Sequence, residues 1–261
     1  METRRRWPGC LLKIMAVLLV ILALFVFLAF LLPVWGGVPR GARGGPVPLT
    51  PAWALECWVW EDDGNTAAAT LELLEDYRNN DFPVRAVLID SPWSTRYNDF
   101  VVDEARFPNP GAFFKQLEDA GYRVVLWMTC MVNSESDDTA IPESADWQRA
   151  AAERGLLVGG NYQAPWWKGR GGFIDYTNPV AMDWWRGQQR QVLEWGVDGW
   201  KLDGAATLLG MAGGFLPYKK AHAGFVTTRQ YMDLYYRAEY KHGLEKNPEF
   251  ITLARALDSP L

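Results

Sequence analysis

The pattern of apolar and polar positions changes character along the chain. Residues 14–32 form an uncharged apolar run of 19 residues that stops at Pro33. At about 1.5 Å per residue, a helix of that length nearly crosses a hydrocarbon core of roughly 30 Å. From residue 52 onward the pattern becomes an alternation of strands and helices. Residues 54–60 read as a strand, and residues 66–80 as a helix with Leu71, Leu74 and Tyr77 on one face. Residues 84–90 are a continuous β-rich run, as expected of a strand covered on both sides. Residues 110–120 form a helix with Phe113, Phe114 and Leu117 at helical spacing, and Gly121 marks its stop. The third strand spans 123–129. Residues 130–178 have no clear period. A helix over 179–196, a strand over 199–203, an amphipathic helix over 227–242 and a fifth strand over 249–255 complete the pattern.

Strands separated by helices long enough to cross over imply an α/β protein with a parallel sheet. Polar residues gather where the strands end: Glu61 and Asp62, Asp90, Thr129, Asp203 and Arg255. Such ends form the active face of a (β/α)8 barrel, or flank the crevice of a doubly wound sheet. A Gly-rich phosphate loop would follow the first strand in the latter. Here the first strand runs instead into Trp60-Glu61-Asp62-Asp63-Gly64, which favours the TIM-barrel type. Five βα units over residues 52–255 take roughly 40 residues each, so eight would need about 320. The expectation is therefore a barrel represented by about five units, in an incomplete gene product or a truncated gene model that is inactive by itself, and preceded by one transmembrane helix.

Charge divides the chain at the same boundary. Residues 1–43 hold Arg4, Arg5, Arg6, Lys13, Arg40 and Arg43 against Glu2 alone, whereas the whole chain carries 26 Lys+Arg and 31 Asp+Glu. The positive-inside rule puts residues 1–13 in the cytoplasm, residues 14–35 across the membrane as a signal-anchor, and the remainder outside. A long cleaved signal peptide is the alternative. Residues 36–51 are rich in Gly and Pro and read as a stalk, leaving 52–261 for the partial barrel. The acidic balance of that part argues against nucleic acid as a partner. Three cysteines cannot all pair, and Cys57 and Cys130 are expected as buried free thiols. Two histidines, His222 and His242, leave little material for a metal site.

No G-x-S-x-G, C-x-x-C, H-E-x-x-H or phosphate-loop motif occurs. What remains is carboxylates at strand ends beside an excess of tryptophan, 14 in all. That combination suits sugar chemistry: pyranose C–H faces stack on indoles, and carboxylates stabilise an oxocarbenium-like transition state. Asp203 ends its strand and precedes Gly204. Lys201, two residues earlier on the same face, is expected to hold a cation beside it. Asp90 closes its strand ahead of Ser91-Pro92-Trp93, where it either binds sugar hydroxyls or caps the loop. The same alternative of a capping role stands for Asp203. Trp127, Trp166 and Trp167 form a candidate stacking wall, while Trp184, Trp185 and Trp195 follow a helical pattern and read as packing.

Six segments in series resemble glycoside hydrolase family 31, the retaining α-glycosidases. They are Val87-Leu88-Ile89-Asp90-Ser91-Pro92-Trp93, Tyr97-Asn98-Asp99-Phe100, Phe107-Pro108-Asn109-Pro110, the L-x-x-x-G-x-x-x-x-L-W pattern from Leu117 to Trp127, Phe173-Ile174-Asp175-Tyr176-Thr177-Asn178-Pro179, and Gly196-Val197-Asp198-Gly199-Trp200-Lys201-Leu202-Asp203. The resemblance implies that Asp203 is the catalytic nucleophile and that Asp90 grips the sugar being cleaved. It places Lys201, Trp127 and Arg255 in the same pocket, with Trp93 and Trp166 as further substrate-binding candidates. It implies a carbohydrate substrate and no cofactor. Two departures stand out. Ala206 occupies the position where the family usually has a glutamate three residues after the nucleophile, and the family's acid/base aspartate lies on a later strand, beyond Leu261. These departures also permit a non-catalytic, membrane-anchored module that binds glycans or a partner. A related α-galactosidase-type barrel is a third possibility, matching the middle segments less well.

Overall fold

The structure is a computed structural model that describes residues 7–28, 50–62, 64–204 and 218–254. Arg255, Ala206, most of the expected stalk and the end of the expected membrane span lie outside the described residues. Helix α1 (Trp7–Val26) begins earlier than expected. Its residues Gly9–Val26 have a mean hydropathy of 2.8, and none of them is buried. It is long and apolar enough to cross a membrane, and a signal sequence has the same properties.

The remainder is built on a five-stranded parallel sheet in the order β1 (Cys57–Glu61), β2 (Val84–Ile89), β3 (Arg123–Met128), β7 (Gly199–Leu202) and β10 (Ile251–Ala254). Helix α2 (Ala67–Asn79) links β1 to β2, and α3 (Pro110–Asp119) links β2 to β3. Helix α5 (Pro179–Glu194) precedes β7, and α6 (Thr228–Lys246) precedes β10. The helix starts follow from local chemistry. Thr66 Oγ1 accepts a hydrogen bond from Ala69 N at 3.1 Å. Asn178 caps α5 ahead of Pro179, and Thr227 forms a reciprocal capping box with Gln230.

Between β3 and α5 lies a three-stranded antiparallel sheet, β4 (Met131–Glu135), β6 (Gly169–Phe173) and β5 (Ala164–Trp166), with α4 (Ala145–Glu153) packed on it. This is the stretch in which the sequence has no clear period. Its strands are short, and Gly169, Gly171 and Gly172 supply close backbone approach instead of an apolar repeat. A hairpin of β8 (Tyr218–Ala221) and β9 (Gly224–Thr227) precedes α6 and has no counterpart in the sequence reading. The first strand starts later than expected, because residues Ala52–Leu55 form a 3₁₀ turn. Cys57 is exposed rather than buried, whereas Cys130 is buried as expected. Cys57 opens an edge strand at a point where the register with β2 shifts, so no neighbour covers it on that side.

Side chains alternate across the main sheet and make two different cores. Val87, Ile89, Val124, Leu126 and Leu202 belong to a large cluster with the helices. Ala86, Leu88 and Val125 form a small cluster of their own with Trp53 from the 3₁₀ turn. The second face is the concave side of a barrel wall. It is tight at the start of the strands: a Cβ on Gly199 would lie 2.8 Å from Ile251 O. The strand starts are tied together by Asp198. Its Oδ1 accepts from Arg123 at 2.8 Å and Asn247 at 3.1 Å, and its Oδ2 accepts from Val124 N at 3.0 Å. Burial pushes the Asp198 carboxyl above its ordinary range, and these donors oppose the shift.

Helix α6 meets the sheet at an equally close point. A Cβ on Gly243 would sit 2.0 Å from Cδ1 of Phe250, which is fully buried. Alanine in a helix is worth about 1 kcal/mol over glycine, but overpacking a filled core costs about 1–3 kcal/mol. Gly243→Ala is therefore expected to lower stability by about 1–2 kcal/mol in urea unfolding, against the helix-propensity trend. A stabilised variant would show that Phe250 has room to move.

Candidate active site

Register and alternation decide which residues meet at the strand ends. Leu88 pairs with Trp60 on one side and Val125 on the other, Val125 with Gly199, and Trp127 with Lys201, which in turn pairs with Leu253. Two residues beyond Leu88 is Asp90, and two beyond Lys201 is Asp203. Trp60, Asp90, Trp127, Lys201, Asp203 and Leu253 thus share the concave face, at its C-terminal rim.

Asp90 is 3% exposed. Its Oδ1 accepts from Ser91 N at 2.7 Å, and its Oδ2 accepts from Lys201 Nζ at 2.5 Å. The Lys201 ammonium also sits 4.5 Å from the ring centroid of Trp60, whose indole is half exposed. Burial raises the Asp90 carboxyl above its ordinary range, opposed by the Lys201 contact and by the Ser91 amide. This corrects the expected pairing. Lys201 shares a face with Asp203, but its ion pair is with Asp90 on another strand. The reason is geometric: side chains two apart on a strand run parallel, whereas a long lysine side chain readily crosses to the buried carboxylate of another strand.

Asp203 is held by N–H donors. Trp127 Nε1 donates to Oδ2 at 2.8 Å and Gly204 N donates to Oδ1 at 2.6 Å. Its own amide donates to Met128 O at 3.0 Å, continuing the ladder of β3 and β7 by one residue. The two side-chain contacts fix the plane of the carboxylate. Asp203 and Lys201 line a pocket of about 220 Å³ with Leu202, Leu253 and Ala254.

The aromatic residues divide into supports and exposed rings. Trp127, 2% exposed, stacks on Trp166 at 6.1 Å with an interplanar angle of 8°, and Trp166 meets Trp167 edge-on at 5.2 Å. Trp166 is nearly buried, with its N–H on Asn133 Oδ1 at 3.1 Å, while Trp167 is half exposed. The expected wall therefore exists, but most of it lies inside. Trp93, a substrate-binding candidate in the sequence, is 3% exposed and donates to Trp127 O at 2.7 Å, which makes it a support of that residue. Trp184, Trp185 and Trp195 pack as expected, with Trp195 stacked on Phe114 at 5.8 Å.

Sequence reading missed Trp60 and a relay behind Trp127. Tyr97 packs edge-on against both Trp127 and Trp166, each at 5.4 Å. Its hydroxyl donates to Asp138 Oδ1 at 2.9 Å, and Lys168 Nζ donates to Asp138 Oδ2 at 2.6 Å. Burial drives the Tyr97 phenol well upward and keeps it neutral. Asn98 beside it donates to Thr129 Oγ1 at 2.9 Å and Met131 O at 2.8 Å, clamping the loop after β2 onto the end of β3. The only sequence signal for Trp60 was its place at a strand end; its partner is 141 positions away. Among the described residues no group of three or more His, Cys, Asp or Glu converges as a metal site.

Removing Lys201 strands a buried carboxylate. Lys201→Met is expected to cost about 3 kcal/mol near neutral pH, as for breaking a mostly buried pair. Without its cation, Asp90 keeps the burial that raises its pKa and loses the contact that opposes it. It then takes a proton more readily in the folded state, so the penalty shrinks as pH falls. Urea unfolding at neutral and mildly acidic pH checks this, and an equal penalty at both would argue against it.

Comparison with known proteins follows the same line. The family model described as the glycosyl hydrolases family 31 TIM-barrel domain matches residues 47–256. The mouse myogenesis-regulating glycosidase is 29% identical over 197 residues, covering 72% of this chain and 26% of its own length. An alpha-xylosidase of Lactiplantibacillus pentosus is 24% identical over 167 residues, covering 61% of this chain and 21% of its own. The chain thus spans about a quarter or less of the curated relatives it matches. Among solved structures, a Flavobacterium johnsoniae dextranase complexed with glucose superposes with a TM-score of 0.66 at 22% identity, covering 79% of this chain and 26% of that one.

Proposed function

The chain belongs to glycoside hydrolase family 31, and on that premise we propose that its described residues carry the nucleophile and the hydroxyl-binding half of a retaining α-glycosidase site. The observation that carries this reading is Asp203: a carboxylate at the rim of the concave face, oriented by the Trp127 and Gly204 N–H groups, with a pocket beside it. In a double displacement, an Asp203 oxygen attacks the anomeric carbon as the glycosidic oxygen leaves with a proton from a general acid. The glycosyl ester is then opened by water, and two inversions give net retention. Holding the carboxylate plane beforehand removes a rotational cost from the attack.

Asp90 and Lys201 present an acceptor and donors side by side, a suitable pair for adjacent sugar hydroxyls. Trp60 offers an open indole face next to them. Arg255 keeps the substrate-binding role that the resemblance gives it, as do Trp127 and Trp166 through the walls they support. The general-acid role goes to the later strand on which the resemblance places it. Relatives named alpha-xylosidase and alpha-glucosidase favour α-linked pyranosides. Helix α1 is proposed as the membrane anchor, with its basic flank in the cytoplasm and the sugar site outside.

A 5-fluoro-α-glycosyl fluoride tests the nucleophile separately from the acid. Fluoride leaves without protonation, while the ring fluorine slows hydrolysis of the ester. The expected product carries one glycosyl unit on the peptide containing Asp203 by mass spectrometry, and Asp203→Asn carries none. Gluco, xylo and galacto versions rank the sugar. Saturable sugar binding with no ester from any of them would favour the non-catalytic glycan-binding module.

A further inference from the structure

Helices α5 and α6 enclose a second pocket, of about 280 Å³, that shares no residue with the strand-end site. Its lining is Asp183, Arg186, Gly187 and Arg190 from α5, with His242 and Lys246 from α6. On each helix the residues recur three or four positions apart, so they project from one face toward the gap between the helices. Three cations and one carboxylate give it a positive balance, in a chain of net charge -5. Among the described residues none of Arg186, Arg190 and Lys246 forms an ion pair.

Two further observations indicate a ligand. The His242 side chain is 8% exposed, and its Nδ1 lies 3.5 Å from Glu245 Oε2. Its Nε2 is buried and has no hydrogen-bond partner, an orphan that a native interior rarely tolerates. Gly187 sits in the interior of α5, where glycine weakens a helix, and a Cβ there would meet nothing within 4 Å. Packing therefore does not require glycine at this position, and the space beside it is open.

We propose that this pocket binds an oxyanion of the phosphate or sulfate type. Arg186 and Arg190 supply planar N–H pairs, and Lys246 adds a point charge. The volume admits a free anion or the anionic end of a phosphomonoester.

Calorimetric titration of the full chain with inorganic phosphate, against chloride at equal ionic strength, tests the site. Saturable one-to-one binding is expected. The double variant Arg186→Gln/Arg190→Gln should weaken it roughly tenfold or more, since two charge-assisted contacts are lost. Gly187→Leu should weaken it similarly by filling the pocket, while circular dichroism and melting temperature show the fold intact. Glucose 6-phosphate binding more tightly than phosphate assigns the pocket to an ester; equal affinity assigns it to the free anion. No heat beyond the chloride control, or undiminished binding in both variants, overturns the proposal.

Discussion

The register of β3 against β7, with Val125 opposite Gly199 and Trp127 opposite Lys201, decides where the polar groups of the strand-end site stand. A one-residue slip of β7 would turn Lys201 and Asp203 toward the helices and Leu202 toward the concave face. Burial prevents the shift, because Val124, Leu126 and Leu202 are committed to the large core. The register is also fastened at the strand starts, where Asp198 gathers Arg123, Val124 and Asn247. Ends and starts are thus coupled: the apolar residues set the alternation and the charged ones set its phase.

That geometry lets two carboxylates coexist near one rim. Asp90 is nearly sealed from water and is matched by Lys201, while Asp203 is matched by the Trp127 indole and the Gly204 amide. Asp90 sits in a charge pair suited to hydroxyl groups; Asp203 has the fixed orientation that a nucleophile needs. Trp127 ties Asp203 to the loop after Asp90, since it donates to Asp203 and receives Trp93 on its carbonyl.

The insertions support this arrangement. The β4–β6–β5 sheet carries Trp166 to its stack on Trp127, and Tyr97 closes the gap from the loop after β2. The β8–β9 hairpin is tied back by Asp175, whose Oδ2 accepts from His222 N at 2.6 Å. Tyr235 of α6 donates to Met128 O at 3.3 Å, so this helix also touches the end of β3.

Much of the main sheet was legible in the sequence, because a strand buried on both faces leaves a continuous apolar run and a covering helix leaves a 3.6-residue period. Residues 84–89, 123–128 and 199–202 and their helices stand within a few positions of expectation for that reason. The antiparallel insertion and the hairpin were not legible, since their short strands are specified by glycines and side-chain contacts rather than by periodicity. Asp90 and Asp203 could be picked out locally: each is an acidic residue ending an apolar strand. The partners of those carboxylates could not. Lys201 lies nearer in sequence to Asp203 yet pairs with Asp90, 111 residues away. Trp93, a substrate-binding candidate by sequence, is a buried support of Trp127. Local sequence determined which residues reach the strand ends, because alternation acts over two positions. Only the tertiary structure decided which charge meets which, because that depends on the neighbouring strand and on how far each side chain is removed from water.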